Sequence, residues 1–268
     1  MISSGTNEKV KHIVQLKEKA RRRGEEGVYL VEGVRLFAEL PEEDTREVYL
    51  TKEGEAQLNA RGLGERLARF RQQGILEEVT DQVLAKMSDV VTPQGILAVA
   101  KRREYSVESI LDRRPSPLFL LLEEIRDPGN LGTILRTSEA AGADAVILAG
   151  ECADVYGPKT VRSTMGAIFR MPVIAVPDAA AFCEEMRGRG IKSYAAALDR
   201  DALVYTEADY LGGSILMIGN EANGLKKETI GAADRCIYIP MAGKTESLNA
   251  SVSAAVLLYE AARCRRFQ

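Results

Sequence analysis

Six short apolar runs, with helical patterns between most of them, dominate the second half of the sequence. The first, residues 118–122 (LFLLL), is uninterrupted, as expected of a strand that is buried on both faces. The other five occupy residues 145–148, 172–176, 193–197, 215–218 and 236–239. Strands that alternate with helices form mostly parallel sheets with helices on both faces. The sequence therefore predicts an α/β fold whose ligand-binding loops follow the carboxyl ends of the strands.

A smaller α/β pattern precedes this one. Its β-like runs occupy residues 28–31, 48–51, 75–79 and 96–100, and helical patterns lie near 9–22, 33–40, 55–72 and 81–88. Residues 103–117 contain two prolines and a pair of arginines, which suit an exposed connection with one short helix. We therefore predict an N-terminal domain over residues 1–102, a linker over 103–117 and a second domain over 118–268.

The side-chain inventory argues against several kinds of chemistry. His12 is the only histidine, so catalytic triads, Cys–His pairs and two-histidine metal sites are set aside. The closest two of the four cysteines, Cys236 and Cys264, are 28 residues apart, which does not match a zinc or redox C-x-x-C motif. No leader-like or membrane-spanning apolar segment is visible. We expect a cytoplasmic protein without metal or membrane partners.

The charge distribution is uneven along the chain. The formal net charge of −3 argues against a protein that is basic throughout. Residues 1–24, however, carry seven positive side chains against Glu8 and Glu18, a local net charge of +5. On charge alone, a solvated helix face explains this segment better than nucleic-acid binding does. Composition by itself does not decide the partner.

The loop at residues 123–132 joins the first apolar run to a helical pattern. Pro128 and Gly129 predict a tight turn, and Asn130 is a good N-cap for the helix that follows. Arg136 lies on a different face of this helix from its apolar residues, so it can point into the space that the turn encloses. A surface arginine on an ordinary strand-turn-helix is the simpler alternative.

Two further loops follow the last two apolar runs. In residues 218–225, Gly219 and Gly224 suit either a sharp bend that a ligand approaches closely or a helix-capping turn. In residues 239–249, the sequence GKT suggests a phosphate-binding loop, but the glycine required five residues before Gly243 is Tyr238. A Rossmann G-x-G-x-x-G is likewise missing from the sequence. Ser247 remains as either a ligand-gripping hydroxyl or a helix cap.

In this order, the three loops resemble the motifs of the SpoU (TrmH-type) 2′-O-ribose RNA methyltransferases of the SPOUT superfamily. The motif N-x-G-x-x-x-R is met at residues 130–136, G-x-E-x-x-G-L at 219–225, and I-P-M-x-G…S-L-N at 239–249. Residues 157–163 and 166–170 resemble the segment that links these motifs, and the likeness spans about 118–264. Residues 1–102 resemble, more weakly, the substrate-binding domain of such enzymes through VEG at 31–33 and TPQGI at 92–96.

The resemblance implies a trefoil-knotted SPOUT sheet, a homodimer whose site is completed across the interface, and S-adenosylmethionine as cofactor. The catalytic residues that it implies are Asn130, Arg136, Glu221, Ser247 and Asn249. Among these, Asn130 is expected to hold Arg136. The resemblance implies cofactor binding by Gly219, Asn220, Ile239, Met241, Gly243, Leu248 and Asn249. With an RNA substrate, the expected phosphate contacts are Lys9, Lys11, Arg21, Arg22, Arg23, Lys159, Arg162 and Arg170.

The implied reaction is transfer of a methyl group to a ribose 2′-hydroxyl. The family role of Arg136 is that of the base, but a guanidinium accepts protons poorly, so a clamp on phosphate and hydroxyl is an equal alternative. The extra N-terminal domain favours 23S ribosomal RNA as the substrate. A transfer RNA methyltransferase and a non-catalytic RNA-binding or ribosome-assembly protein are the alternatives. An α/β nucleotide-binding enzyme is disfavoured, because both phosphate-binding motifs are missing from the sequence.

Overall fold

The computed structural model describes residues 1–266, which form two compact units. The first unit contains Met1–Arg103 and Asp154–Phe169, and the second contains Glu104–Ala153 and the chain from Arg170 onward. Residues 154–169 therefore pack with the N-terminal part of the chain, unlike the continuous boundaries that the sequence predicts. The physical reason is a set of long-range contacts, in which Asp154 pairs with the buried Arg23 and Tyr156 packs on Tyr29 with 5.0 Å between ring centroids.

The first unit is built on a four-stranded mixed sheet with strand order β1-β4-β2-β3. Strands β1 and β2 run antiparallel to β4, and β3 runs parallel to β2. Its strands are β1 (Val28–Glu32), β2 (Thr45–Leu50), β3 (Leu76–Glu78) and β4 (Ile96–Lys101). Before residue 103, its helices are α1 (Glu8–Glu18), α2 (Ala20–Glu26), α3 (Val34–Glu39), α4 (Lys52–Ala60), α5 (Gly64–Gln72) and α6 (Asp81–Met87).

The core of the first unit explains its local sequence patterns. Helix α1 buries Val10, Ile13 and Leu16 completely. Residues three apart lie about 60° apart around the helix axis, so these three form one apolar stripe about 120° wide. The glycine of the TPQGI segment has a steric role. Gly95 has a φ of +80°, and a Cβ atom there would lie 2.5 Å from the Cα atom of Gly54 at the start of α4. This pair of glycines lets helix α4 approach the beginning of β4 closely.

The second unit contains a seven-stranded sheet with strand order β7-β6-β5-β10-β8-β11-β9, in which every neighbouring pair is parallel. The strands are β5 (Leu118–Glu123), β6 (Ala145–Ala149), β7 (Val173–Val176), β8 (Lys192–Ala196), β9 (Leu203–Val204), β10 (Ser214–Ile218) and β11 (Arg235–Tyr238). The predicted α/β fold with a mostly parallel sheet is confirmed. The two-residue strand β9 was not predicted, because two residues are too few to show a periodic pattern.

Helices flank the parallel sheet. The elements are α7 (Val107–Leu111), α8 (Pro128–Ala141), α10 (Ala179–Gly188), α11 (Lys227–Ala232) and α12 (Ala250–Arg266), while α9 (Pro158–Ser163) belongs to the first unit. Helix α10 packs through Phe182 and Met186 against Phe119 of β5. Helices α8 and α12 pack against each other, and α12 also contacts β10. Within residues 1–266, every helix is too short or too polar to cross a membrane.

Helix α8 starts earlier than the sequence predicts. Asp127 is the N-cap, and its Oδ1 atom accepts a hydrogen bond of 2.7 Å from the backbone N–H of Asn130. Pro128 occupies the first turn, where a missing N–H costs nothing. The prediction that Asn130 is the N-cap is therefore wrong by three residues. The shift leaves the Asn130 side chain free to bond with other loops.

Candidate active site

Loops that follow four parallel strands meet at one edge of the second sheet. They follow β5, β8, β10 and β11, whose carboxyl ends lie side by side because all neighbouring strands are parallel. Glu123, the buried last residue of β5, accepts hydrogen bonds of 2.8 Å from the backbone N–H of Lys226 and from the Thr229 hydroxyl. This carboxylate fixes the loop after β10. Glu123 belongs to none of the motifs in the sequence, although a buried acid at a strand end signals a polar anchor.

The loop at 219–225 is held by its own backbone. Asn220 and Gly224 exchange two backbone hydrogen bonds of 2.8 and 3.1 Å, and the Asn220 amide donates to the Glu124 carbonyl at 2.9 Å. A Cβ atom on Gly219 would lie 2.1 Å from the carbonyl carbon of Gly224. Close approach of the loop itself therefore explains Gly219, and Asn220 holds the loop in place. The loop in turn presents Glu221 on the surface.

Three predicted catalytic side chains form one hydrogen-bond network. The Asn130 Nδ2 atom donates to Glu221 Oε1 at 2.6 Å, and Asn130 Oδ1 accepts from Asn249 Nδ2 at 3.2 Å. Asn130 does not contact Arg136, contrary to the prediction. The reason is geometric, because residues six apart on an α-helix point about 120° away from each other. Asn130 instead joins the loop after β10 to the start of α12.

Arg136 projects from α8 into solvent. Its side chain is exposed, and within residues 1–266 the guanidinium forms neither a hydrogen bond nor an ion pair. An arginine without an internal partner keeps all its donors for a ligand. The start of α12 is capped by Asn249, whose Oδ1 atom accepts hydrogen bonds from the Ser251 N–H at 2.8 Å and the Ser251 hydroxyl at 2.7 Å. The alternative of a cap formed by Ser247 is therefore wrong.

A cavity of about 500 Å³ opens beside this network. Its walls come from the loops after β8 and β11 and from α12. The lining residues are Ala196, Ala197, Leu198, Ile237, Tyr238, Ile239, Met241, Thr245, Glu246, Ser247, Leu248, Ser253 and Leu257. Of the predicted cofactor-binding residues, Ile239, Met241 and Leu248 line this cavity. The predicted catalytic residue Ser247 lines it as well.

The structure places the other predicted cofactor-binding residues outside the cavity lining. Gly219 and Asn220 build the loop after β10, Asn249 caps α12, and Gly243 lies in the exposed part of the loop after β11. The segment Ala196–Leu198 was not predicted to line the site, because it carries no recognisable motif. Its position after a buried strand was the available signal, since ligands bind at the carboxyl ends of parallel strands.

The charges around the site are defined by a few side chains. The Lys226 ammonium lies 2.6 Å from Glu124 and holds the pKa of that carboxyl below its usual value. The lowered pKa makes the Glu124 carboxylate a weaker base than an ordinary glutamate, which disfavours it as the proton acceptor. Glu246 adds a carboxylate to the cavity wall. In the part of the chain that the structure describes, no three acidic, histidine or cysteine side chains converge as they would around a metal ion.

The predicted RNA contacts of the N-terminal segment are mostly in ion pairs. Lys9 pairs with Glu77 at 2.5 Å, Lys11 with Glu8 at 2.6 Å, Arg21 with Glu25 at 2.8 Å and Arg22 with Glu26 at 2.5 Å. Exposed pairs of this kind contribute little and can open for a phosphate. Arg23 is different, since it is buried and bonds to Asp154 and to the Leu16 carbonyl. The prediction that Arg23 contacts RNA is therefore wrong.

The remaining predicted RNA contacts lie later in the chain. Lys159 is exposed on α9, and Arg162 of the same helix pairs with Asp89 at 2.8 Å. Arg170 pairs with Glu139 at 2.9 Å. The local net charge of +5 over residues 1–24 is offset in part by Glu25 and Glu26, the last residues of α2, which pair with Arg21 and Arg22 of the same helix.

Two family descriptions match the chain over different ranges. Residues 117–259 match the SpoU rRNA Methylase family, and residues 7–98 match the MRM3-like substrate binding domain. The first range contains all the loops that form the candidate site. The second covers most of the mixed sheet of the first unit and its helices.

Named proteins and solved structures agree with this match. The chain is 35% identical over 181 residues to the 23S rRNA (guanosine(2553)-2'-O)-methyltransferase RlmP of Bacillus subtilis, covering 68% of this chain and 70% of that protein. It is similar to an AdoMet-bound rRNA methyltransferase from Sinorhizobium meliloti, with a TM-score of 0.84, 30% identity and coverage of 98% and 97% of the two chains. It is also similar to the AdoMet complex of the SpoU methyltransferase AviRb from Streptomyces viridochromogenes, with a TM-score of 0.80, 28% identity and coverage of 96% and 98%. With its motifs, its parallel sheet and more than half of its length matched, this chain belongs to the SpoU rRNA methylase family.

Proposed function

We propose that this protein transfers a methyl group from S-adenosylmethionine to a ribose 2′-hydroxyl of ribosomal RNA. The observation that carries the proposal is the adjacency of the cavity and the polar network. Leu248 lines the cavity, and the next residue, Asn249, bonds to Asn130, which bonds to Glu221. A cofactor in the cavity therefore lies beside polar side chains that can meet an RNA substrate.

The lining of the cavity fits S-adenosylmethionine. Ile239, Met241 and Leu257 provide apolar surface for a flat base, and the Thr245 and Ser247 hydroxyls provide polar contacts. The carboxylate of Glu246 favours a cationic ligand such as a sulfonium. When bound, this cofactor supplies a methyl group that a ribose hydroxyl can displace in line, without a metal or an imidazole. The residues of this chain then act mainly by positioning.

The roles of the polar residues follow from their contacts. Asn130 holds Glu221 and Asn249 in fixed positions through both ends of its amide. Arg136 is exposed and carries five N–H donors, so we assign it to the substrate as a clamp on phosphate and the ribose hydroxyl. The proton of the hydroxyl then passes to water or to phosphate. An exposed guanidinium is a poor proton acceptor, which favours the clamp over the base.

The first unit supports a large structured RNA as substrate. Its match to a substrate binding domain and its exposed cations suit contacts to phosphates that position RNA. We assign RNA binding to residues 1–102 together with residues 154–169 of the same unit, the connection to residues 103–117, and methyl transfer to the rest of residues 118–268. The preferred substrate is 23S ribosomal RNA, as the named activity of RlmP suggests. We also propose a cytoplasmic location for the enzyme.

We also infer a homodimer and a trefoil knot from the family resemblance. Helix α12 supports the dimer, because it exposes Val252 and Tyr259, which are 46% and 52% accessible and lie two turns apart on one face. Apolar side chains exposed in a row on one helix are typical of an interface. A partner seated on α12 would lie close to Asn249, at the start of the same helix.

A methylation assay tests the proposed function. The purified full chain is incubated with tritiated S-adenosylmethionine and with ribosomal RNA from cells that lack the gene. We expect tritium in 23S RNA, in a ribose-methylated nucleoside after digestion. Incorporation into transfer RNA alone would show that transfer RNA, and not ribosomal RNA, is the substrate. Cofactor binding by calorimetry without incorporation into either RNA would favour the non-catalytic RNA-binding protein.

A further inference from the structure

A second cavity, of about 780 Å³, lies in the first unit on residues that methyl transfer does not use. We call it the N-terminal cavity. Its lining includes parts of the VEG and TPQGI segments and of residues 154–169. The lining residues that carry the argument are Arg35, Gln57, Arg61, Gln94, Arg162 and Met165. Its volume lies in the range of sites that bind small molecules or single groups of a larger ligand.

The floor of the N-terminal cavity is fixed by hydrogen bonds. The Gln94 side-chain oxygen accepts a hydrogen bond of 3.1 Å from the backbone N–H of Val34. The buried Glu32 carboxylate accepts hydrogen bonds from the Ser88 hydroxyl and, at 3.2 Å, from the Asp89 N–H. These bonds hold the loop before β4 against the end of β1. A site that is already ordered loses little entropy when a ligand binds.

Guanidinium groups with unused donors face the N-terminal cavity. The Arg162 Nη1 atom is buried without a hydrogen-bond partner and lies 3.9 Å from the Glu32 carboxylate, while its Nη2 atom bonds to Asp89. Arg35 and Arg61 are exposed, and the described chain gives their side chains no ion pair. The nearby carboxylate of Glu32 is already satisfied by its own hydrogen bonds. The free donors therefore favour a ligand with anionic and acceptor oxygens.

The N-terminal cavity also offers apolar surface and amide groups. Met165 lines the cavity with 43% of its surface exposed, and Val90 adds a second apolar side chain. Thioethers and flat guanidinium planes pack well against a nucleobase, as stacked arginines do in RNA complexes. The amides of Gln57 and Gln94 can meet base edges. The cavity therefore offers a matching group to each part of a nucleotide, namely its phosphate, the face of its base and the edge of its base.

We propose that the N-terminal cavity binds one unstacked nucleotide of the RNA substrate, other than the nucleotide that is methylated. This proposal rests on the proposed function. Arg35 and Arg61 contact the phosphates that flank the nucleotide, and its base lies against Met165 with an edge toward Arg162 and Gln57. The cavity then selects RNA by the presence of a loop or bulge whose base can leave its stack.

The test compares two double variants in the full-length protein. Arg35→Ala/Arg61→Ala removes the two free guanidiniums, and Arg46→Ala/Lys52→Ala removes two exposed cations of the same unit that lie outside the cavity lining. The probe is 23S RNA from cells that lack the gene. We expect the first variant to weaken RNA binding about tenfold and to lower the slope of log K against log salt by about 1.4, as for two single-strand phosphate contacts. Its KM for RNA rises, whereas kcat at saturating RNA stays within about twofold.

The matched control variant should change RNA affinity by less than about twofold, because its cations face no structured ligand site. Equal RNA affinity of the two variants, with normal methylation by the wild-type protein, would overturn the cavity assignment alone. No methylation by the wild-type protein would instead refute the proposed function. Tight binding of free nucleoside monophosphates, with unchanged RNA affinity of Arg35→Ala/Arg61→Ala, would assign the cavity to a soluble nucleotide and overturn the proposal.

A cross-linking measurement tests the same site without a substitution. RNA that carries 4-thiouridine is irradiated with the wild-type protein, and the linked peptides are identified by mass spectrometry. We expect links to peptides that contain Gln94 or Met165. Links confined to α1 and α2 would contradict the proposal, because they would place the RNA on the basic helices and not in the cavity.

Discussion

Replacing Asn130 with alanine tests the network that joins the site loops. The substitution removes one hydrogen bond of 2.6 Å to the charged Glu221 and one of 3.2 Å to Asn249. A bond to a charged group contributes about 1.5–3 kcal/mol and a neutral one about 0.5–1.5 kcal/mol, with smaller values at exposed sites. We therefore expect a loss of about 2 kcal/mol in transition-state stabilisation, or about a thirtyfold fall in rate. The helix cap persists, because Asn130 donates to Asp127 through its backbone N–H, which the substitution keeps.

The assay for Asn130→Ala is single-turnover methyl transfer at saturating cofactor and RNA. Asn223→Ala is the matched control. Within residues 1–266, Asn223 takes part in the hydrogen bonds of the loop after β10 only through its backbone N–H, which the substitution keeps. We expect the control to retain at least half of the wild-type rate. The reasoning about the network is refuted if Asn130→Ala stays within about threefold of the wild type while its thermal stability is unchanged.

Three further substitutions test other parts of the site. Arg136→Ala should lower methyl transfer at least a hundredfold and leave the calorimetric Kd for S-adenosylmethionine within about twofold, because the guanidinium is assigned to RNA and not to the cofactor. Gly219→Ala should cost about 1–3 kcal/mol in denaturant unfolding through its clash with Gly224, whereas Gly188→Ala, with open space around its Cβ position, should be neutral. Tyr259→Lys should shift the protein from dimer to monomer in analytical ultracentrifugation, since it places a charge on the exposed apolar face of α12. An unchanged dimer would show that the interface does not include this face of α12.

The strands of the second unit were predictable because each buried strand corresponds to an apolar run in the sequence. Residues 118–122 and 215–218 are examples, and the structure pairs them as neighbouring parallel strands. The order of the strands was not predictable, because the pairing of β10 between β5 and β8 depends on contacts distant in sequence. The packing of residues 154–169 with the first unit depends likewise on the pairing of Arg23 with Asp154, 131 residues apart.

The candidate site was predictable in its residues more than in its contacts. The motifs identify Asn130, Glu221 and Asn249, which the structure joins in one network. They do not say that Asn130 bonds to these two residues instead of Arg136, because that outcome depends on where α8 begins. The segment Ala196–Leu198 was missed for another reason, since its contribution to the cavity comes from backbone placement after β8 and not from side-chain chemistry.

The role of the basic N-terminal helices was predictable only in outline. The sequence shows a cluster of cations but not their partners. The structure pairs Arg21 and Arg22 with glutamates one turn later and buries Arg23. Charge counts therefore overstate the positive surface that RNA meets, and the unpaired cations at the N-terminal cavity come from α3 and the end of α4 instead.

Ribose methylation mapped by mass spectrometry tests the central claim most directly. Ribosomal and transfer RNA are isolated from cells with and without the gene, and every 2′-O-methylated nucleotide is compared. We expect one ribose methyl group to disappear from 23S RNA and to return when the wild-type gene, but not the Arg136→Ala variant, is restored. An identical set of ribose methyl groups in both cell lines would contradict it.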